Sequence, residues 1–379
     1  MELMIGKTSL RVVLDCRSIH PHMGGIGRAA WDFAMALAAK RDGTPLTLLI
    51  GPRAPSSFNP PNVHLVQVDA AMIDERFDQL HLPVILERLH ADFYFNTTFS
   101  IPAVKTTKFQ GAIIHDVVFE EKPEWVEPSL REYLSKWSHF TAENADRVVT
   151  VSEDSKSRIV SAYKIAPERI WRIYNGLHEN AFIHPPQAEI ATVRDRLGLV
   201  DPYILYLGTL EPKKGVGELI AAFEMFAVRE ATTKLVLAGP RNGFSPELDR
   251  RIAASGVRSR IVQLGYVEEG AKKALIGGSR LFVFPSLYEG FGLPPLEAMA
   301  LGIPCVTSCK TSLPEIVGDA AMTMDVRDDK SFADALERGL SDENYRKEAS
   351  IKGPARARQF TWAGAAQEFL KLCAGLEAA

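Results

Sequence analysis

The sequence has no long apolar run, few cysteines and no surplus of positive charge, and each shortage excludes a class of protein. No window approaches the roughly 18 uncharged apolar residues that a membrane-spanning helix needs, so any membrane contact is expected to be peripheral. Met1 to Asp15 carries Glu2, Lys7 and Arg11 and lacks the apolar stretch of a secretory leader. The four cysteines, Cys16, Cys305, Cys309 and Cys373, form no CxxC pair, and Cys305 and Cys309 have no further ligands at metal-site spacing. Neither a disulfide framework nor a zinc site is expected, and a reducing, cytoplasmic compartment fits. Lys and Arg number 44 against 47 Asp and Glu, so the basic surface of a dedicated nucleic-acid binder is absent. There is no low-complexity segment and no short-period repeat.

What is present is ordinary globular composition, 46% hydrophobic and 24% charged, in a chain of 379 residues. That length exceeds what one core usually covers, so two domains are expected. Short apolar runs alternate with amphipathic stretches, the pattern of βαβ units and parallel sheets. Strand candidates run from Leu10–Leu14 to Ile170–Tyr174 in the first half and from Tyr203–Leu207 to Ala321–Met324 in the second. Helical patterns between them include Arg28–Ala39, Phe77–Leu89, Ser129–Ala145, Gly217–Val228, Glu268–Gly277 and Pro295–Ala300. His184, Pro185 and Pro186 interrupt the pattern, which sets domains at 1–183 and 184–358. A separate helix, capped by Thr361, occupies 359–379. Two doubly wound α/β domains facing each other would hold a ligand at the C-terminal ends of their strands.

Four segments at such strand ends could carry chemistry. Met23-Gly24-Gly25-Ile26-Gly27-Arg28 precedes a helix and is either a plain turn or a place where backbone amides meet an anion. Its GGxG spacing is not a dinucleotide fingerprint. His115 and Asp116 end the run Gly111–Ile114, putting two titratable groups at a strand tip. Gly208-Thr209-Leu210-Glu211-Pro212-Lys213-Lys214-Gly215 sets lysines near a helix N-terminus, suited to a diphosphate or simply to solvent. The last segment, Pro285 to Ala298, places Glu289 and Glu297 eight apart around Gly290, Phe291, Gly292 and Leu293. A carboxylate accepts from two neighbouring hydroxyls at once, so such a pair suits a polyol. Reading Glu297 as a helix-dipole partner in the first turn leaves the dense Gly-Phe-Gly-Leu-Pro-Pro unexplained.

Glu289-Gly290-Phe291-Gly292 with Glu297 resembles the E-x7-E motif of the family 4 retaining glycosyltransferases. The GGxG turn, the His-Asp tip, Val151-Ser152, Tyr174-Asn175-Gly176, Gly208–Gly215 and Phe360-Thr361-Trp362 follow that family's order. The resemblance implies a GT-B fold, two facing Rossmann-like domains with the last helix crossing back to the first. It implies that Glu297 binds the donor's ribose, and that Glu289 with the backbone of Phe291, Gly292 and Leu293 holds the transferred sugar. Lys214 would contact the diphosphate with help from Gly24 and Gly25, His115 would sit over the sugar beside Asp116, and Val267 would hold the base. The sequence departs at Thr209, where many members carry Arg or Lys; Lys213 or Arg28 is then the candidate second cation. Gly-Thr-Leu-Glu-Pro before the lysines, together with Pro123-Glu124, is similar to bacterial polysaccharide mannosyltransferases, which implies GDP-mannose as donor. UDP-glucose or dTDP-rhamnose transferases and a non-catalytic nucleotide-sugar binder are the alternatives. The implied partners are a nucleotide-diphosphate sugar and a glycan or lipid-linked acceptor at the inner membrane face. No cofactor or metal is expected, since no DxD or His cluster stands out.

Overall fold

The computed structural model describes residues 9–21, 23–41, 43–241 and 245–378. Residues 1–8, which include Glu2 and Lys7 of the leader argument, lie outside these. The chain forms two α/β units, Met1–Gly176 with Phe360–Ala379, and Leu177–Gln359. Among the described residues no helix is long and apolar enough to cross a membrane.

The first unit holds β1 (Val12–Asp15), β2 (Leu46–Ile50), β3 (His64–Gln67), β4 (Phe93–Asn96), β5 (Phe109–Ile113), β6 (Arg147–Thr150) and β7 (Ile170–Arg172). Its helices are α1 (Gly25–Lys40), α2 (Leu82–Arg88), α3 (Val118–Glu121), α4 (Pro128–Asn144) and α5 (Glu153–Tyr163). The strands are parallel in the order β3-β2-β1-β4-β5-β6-β7. Val12 sits opposite both Leu46 and Phe93, so β1 and β4 flank the point where the strand order reverses. Every position of β1 and β4 is buried, because helices cover both faces, and that is why these strands read as unbroken apolar runs. Phe77–Leu89, expected as one helix, is a π turn over Phe77–His81 followed by α2. The change falls where Pro83 has no N–H to give and its ring crowds the carbonyl four residues back.

The second unit holds β8 (Tyr203–Leu207), β9 (Lys234–Ala238), β10 (Ile261–Gly265), β11 (Leu281–Phe284), β12 (Cys305–Ser308) and β13 (Met322–Met324). All pair in parallel, in the order β10-β9-β8-β11-β12-β13, so β8 and β11 flank its reversal point. Its helices are α6 (Gln187–Arg196), α7 (Val216–Ala227), α8 (Ser245–Ala254), α9 (Glu269–Gly277), α10 (Leu293–Ala300), α11 (Leu313–Val317), α12 (Asp329–Ser341) and α13 (Glu343–Ala357). The seam falls at Gly176, earlier than the prolines suggest. The turn Glu179–Phe182 belongs to the second unit because Lys273 Nζ donates to the Asn180 carbonyl at 2.6 Å. Arg358 also lies 4.7 Å over the Phe182 ring.

The last helix, α14 (Trp362–Ala378), returns to the first unit and packs on α1. Thr361 caps it, its hydroxyl accepting from the Gly364 N–H at 3.0 Å. Phe369 meets Phe33 edge-on at 5.4 Å and Phe95 at 4.8 Å, in the core beside the sheet. Gly176 admits this return: a Cβ there would stand 2.2 Å from the Thr361 carbonyl carbon and 2.4 Å from the Trp362 nitrogen. Both neighbours are backbone and cannot swing aside. Gly176→Ala should therefore destabilise the first unit by about 1–3 kcal/mol. All five tryptophans, Trp31, Trp125, Trp137, Trp171 and Trp362, lie in that unit, so their fluorescence during urea unfolding reads the change directly. An unchanged midpoint would show that the approach is not tight.

Candidate functional site

In the second unit the two strands at the reversal point deliver both of the most informative segments. After β8 the chain makes a short turn, Pro212–Lys214, and Gly215 follows at φ 67. A Cβ on Gly215 would lie 2.1 Å from the Pro285 carbonyl oxygen, so glycine lets the turn press against the loop leaving β11. The loops are then tied together. The Leu287 N–H donates to the Lys213 carbonyl at 2.7 Å, and the Ser286 hydroxyl donates to the same oxygen at 3.2 Å.

This contact places Lys214 Nζ 2.6 Å from Glu289 Oε1, with the two side chains 15% and 13% exposed. Glu289 is held from behind. Its N–H donates to Thr311 Oγ1 at 3.0 Å, and the Ser312 hydroxyl lies 3.0 and 2.9 Å from the carbonyls of Glu289 and Phe291. Phe291 is buried, and Gly292, at φ 111, opens α10. Pro294 and Pro295 follow Leu293 in the first turn, where a missing N–H costs little. Glu297 consequently falls beyond that turn, a correction to its expected position, and a helix-dipole role no longer accounts for it.

Glu297 has a partner that sequence reasoning missed. Lys272 Nζ, on α9, donates to Glu297 Oε1 at 2.7 Å and lies 3.0 Å from Glu269 Oε1. Burial pulls the Lys272 pKa down, but Glu297 and Glu269 outweigh it and leave it raised, so the ammonium stays charged. In the sequence Lys272 reads as one charge among Glu268, Glu269 and Lys273, a solvated helix start. Val267, expected to hold a base, lies just before α9 and packs against the core of this unit. Of the remaining lysines and their neighbours, Lys213 Nζ lies 3.6 Å from Glu211, and the Thr209 carbonyl accepts from the Tyr206 hydroxyl at 2.9 Å.

In the first unit the GGxG turn divides into two roles. A Cβ on Gly27 would meet the Ser18 carbonyl at 2.5 Å, so that glycine is required by packing. Gly24 and Gly25 are exposed with nothing within 4 Å of an added Cβ, and Gly24 caps α1 without a side-chain bond. The start of α1 is thus open around Gly24 and Gly25, and its first-turn amides lack a side-chain cap.

His115 is buried, and its Nε2 lies 2.9 Å from the Thr97 carbonyl. A carbonyl only accepts, so Nε2 carries the proton. Burial lowers the His115 pKa against the opposing pull of Thr97 and Asp116, which favours the neutral ring. Nδ1 is then a hydrogen-bond acceptor. Asp116 Oδ1 accepts from the Val118 N–H at 3.0 Å and shapes the entry to α3. A second cluster, also missed, stands at the tip of β1. Arg17 bridges Asp15 and Asp78, and the Thr97 hydroxyl donates to the Asp15 carbonyl at 2.7 Å. Among the described residues no group of three or more His, Cys, Asp or Glu is placed to hold a metal ion.

Two family models match the chain. One described as Glycosyltransferase Family 4 matches residues 23–180, and one described as Glycosyl transferases group 1 matches residues 192–356. Over 251 residues the chain is 34% identical to O-antigen chain mannosyltransferase B of Escherichia coli, covering 65% of each protein. Over 284 residues it is 32% identical to the serotype-specific mannosyltransferase WbdA of Escherichia coli, covering 73% of this chain and 34% of that one. The chain thus spans less than two thirds of the length of these curated relatives. Among solved structures it is similar to WaaG, a glycosyltransferase involved in lipopolysaccharide biosynthesis, at TM-score 0.76 and 17% identity over 95% and 99% of the two chains. It is also similar to HepE of Anabaena in complex with UDP and glucose, at TM-score 0.74 and 18% identity over 95% and 98%. These likenesses show the fold, the two parallel-sheet domains of the GT-B class.

Proposed function

The chain belongs to family 4 of the glycosyltransferases, and from that premise we propose that it transfers α-mannose from GDP-mannose, with retention, to a hydroxyl of a glycan or lipid-linked acceptor. The observation that carries this reading is the Lys214–Glu289 pair, built at the tips of the two strands that flank the reversal point. Its ammonium suits a diphosphate and its carboxylate suits sugar hydroxyls. Mannose is favoured because the two Escherichia coli relatives are mannosyltransferases. UDP-glucose is the second reading, favoured by HepE, which was solved with UDP-glucose.

In this reading the acceptor oxygen attacks the anomeric carbon on the face from which the diphosphate departs. The bond to the phosphate oxygen breaks, the new glycosidic bond forms, and the acceptor proton passes to the leaving phosphate oxygen. Lys214 stabilises the charge that develops there, so the step needs no metal. Glu289 accepts from the sugar, with Gly290, Phe291, Gly292 and Leu293 around it; in the first unit, His115 Nδ1 is left to accept a substrate hydroxyl. Asp116 orders the segment after His115. Thr209, Lys213 and Val267 complete the donor contacts. The protein would act in the cytoplasm, with peripheral contact at the inner membrane face where a lipid-linked acceptor is found.

Calorimetric titration with GDP, UDP, GDP-mannose and UDP-glucose tests the donor. Glu297→Ala should weaken binding of the true donor more than tenfold, since hydrogen bonds to a charged carboxylate contribute about 1.5–3 kcal/mol. Unaltered affinity in that variant, or no binding to any of the four, would sink the reading. A clear preference for UDP-glucose would select the second one. Transfer should persist in EDTA; loss of transfer that Mg²⁺ restores would overturn the metal-free step.

A further inference from the structure

Lys272 stands where the proposed ribose carboxylate and the proposed base segment meet. It lies in the first turn of α9, which begins two residues after Val267, and its side chain reaches Glu297 on α10. Exposure falls steeply along this group. Glu269 is 55% exposed, whereas Lys272 and Glu297 are 17% and 21% exposed. A lysine held only by an exposed glutamate would gain little from turning inward, because such pairs are weak. Lys273, its neighbour, turns the other way and donates to the Asn180 carbonyl. The inward turn of Lys272 is therefore specific to Glu297.

The pairing is also one-sided. Lys272 takes Glu297 Oε1, and no donor among the described residues engages Oε2. An ammonium has three N–H donors, of which Glu297 and Glu269 take two. A free carboxylate oxygen beside an uncommitted N–H is a donor–acceptor couple, which matches a hydroxyl that gives one hydrogen bond and receives another. A vicinal diol satisfies it fully. A sugar lacking one of the two hydroxyls leaves a half-buried charged group without a partner, which costs more than the bond itself.

We propose that Lys272 is a specificity-determining residue of the donor site, which orients Glu297 and with it selects ribonucleoside diphosphates over their 2′-deoxy forms. The proposal rests on the assignment of Glu297 to the ribose. It disfavours sugars carried on 2′-deoxyribonucleotides and is indifferent to the choice between guanine and uracil.

The test compares GDP with 2′-deoxy-GDP and UDP with 2′-deoxy-UDP by calorimetry, in the whole protein and in Lys272→Met, Lys272→Gln, Lys272→Arg and Glu297→Ala. The unaltered protein should prefer the ribose form of whichever base it binds by at least about tenfold. Lys272→Met and Lys272→Gln should lose affinity for the ribose form while barely changing for the deoxy form, shrinking the preference below about threefold. Lys272→Arg, which keeps the charge and N–H donors, should restore much of it. Deoxy and ribose forms binding equally to the unaltered protein would overturn the proposal. So would an unshrunken preference in Lys272→Gln when its thermal midpoint is unchanged. If Lys272→Met fails to fold, the glutamine and arginine variants decide. A Glu297→Ala variant that loses nucleotide affinity while the lysine variants do not would defeat this inference and leave the donor-site reading standing. Full affinity in Glu297→Ala would defeat that reading itself.

Discussion

Arg17→Met should cost the first unit about 3–5 kcal/mol, the range for removing one partner of a buried ion pair. Arg17, Asp15 and Asp78 are all buried. The guanidinium stands 2.8 Å from Asp15 Oδ2 and 2.6 Å from Asp78 Oδ1, and it donates to the Ala71 carbonyl at 3.0 Å. Tyr94 donates to Asp15 and Tyr133 to Asp78, each at 2.9 Å. Two carboxylates thus share one cation, and the phenols supply the remaining donors. Burial pushes the Asp78 carboxyl up, Arg17 opposes, Asp15 adds to the rise, and the result is about 6 against an ordinary 3.8.

The sign of the pH effect follows from that rise. Folded Asp78 holds its proton more tightly than unfolded Asp78, so its favourable contribution is full below about pH 4 and is lost as pH rises through about 6. Without Arg17 the carboxyl should rise further, because the one cation opposing ionisation is gone. Arg17→Met should therefore hurt less at pH 5 than at pH 7, and Asp78→Asn should flatten the slope between pH 4 and 6. Urea unfolding followed by tryptophan fluorescence across that range reads both. A loss independent of pH would mean that the guanidinium acts by packing, for instance on Phe77, whose ring it covers at 4.7 Å. The cluster bears on the site as well, because Asp15 and His115 hold Thr97 from two sides.

How much of this was legible in the sequence depends on whether the signal was local. The central strands of both sheets were, because parallel strands covered on each face must be apolar throughout, as β1 and β4 are. The helix α14 and its Thr361 cap were legible for the same reason, the cap lying one residue before the amphipathic run. Helices α6 and α13 were not. The first has weak amphipathic character, and the second is largely polar and carries Pro354 inside it. In the candidate site, Lys214 and Glu289 were found through their loops, yet their contact depends on β8 lying beside β11. Lys272 and the Asp15–Arg17–Asp78 cluster were missed because each joins residues far apart in the chain. Seen singly, they are ordinary charges near element ends. No period or spacing reports a partner that only the topology supplies.

Lys214→Ala should lower turnover of the nucleotide sugar by about 10²–10³-fold, the loss typical of one preorganised group that stabilises developing charge. The loop that carries Lys214 is fixed by Gly215 against Pro285 and by the bonds from Leu287 and Ser286 to the Lys213 carbonyl. In the proposed reaction its ammonium therefore waits in place and reorganises little as the diphosphate departs. Removing it does two kinds of damage: the leaving group loses a cation, and Glu289 keeps a half-buried negative charge that repels the same phosphates. Glu289→Gln alone should be severe through lost sugar contacts. The double variant Lys214→Ala/Glu289→Gln should be less harmful than the product of the single effects, because the repulsion has gone. Lys214→Arg should retain part of the rate, since it keeps the charge but changes the geometry. Steady-state kcat and KM on the four variants separate these contributions. If Lys214→Ala stays within about threefold of the unaltered protein, the proposed diphosphate contact is wrong, and Lys214 serves only to hold Glu289.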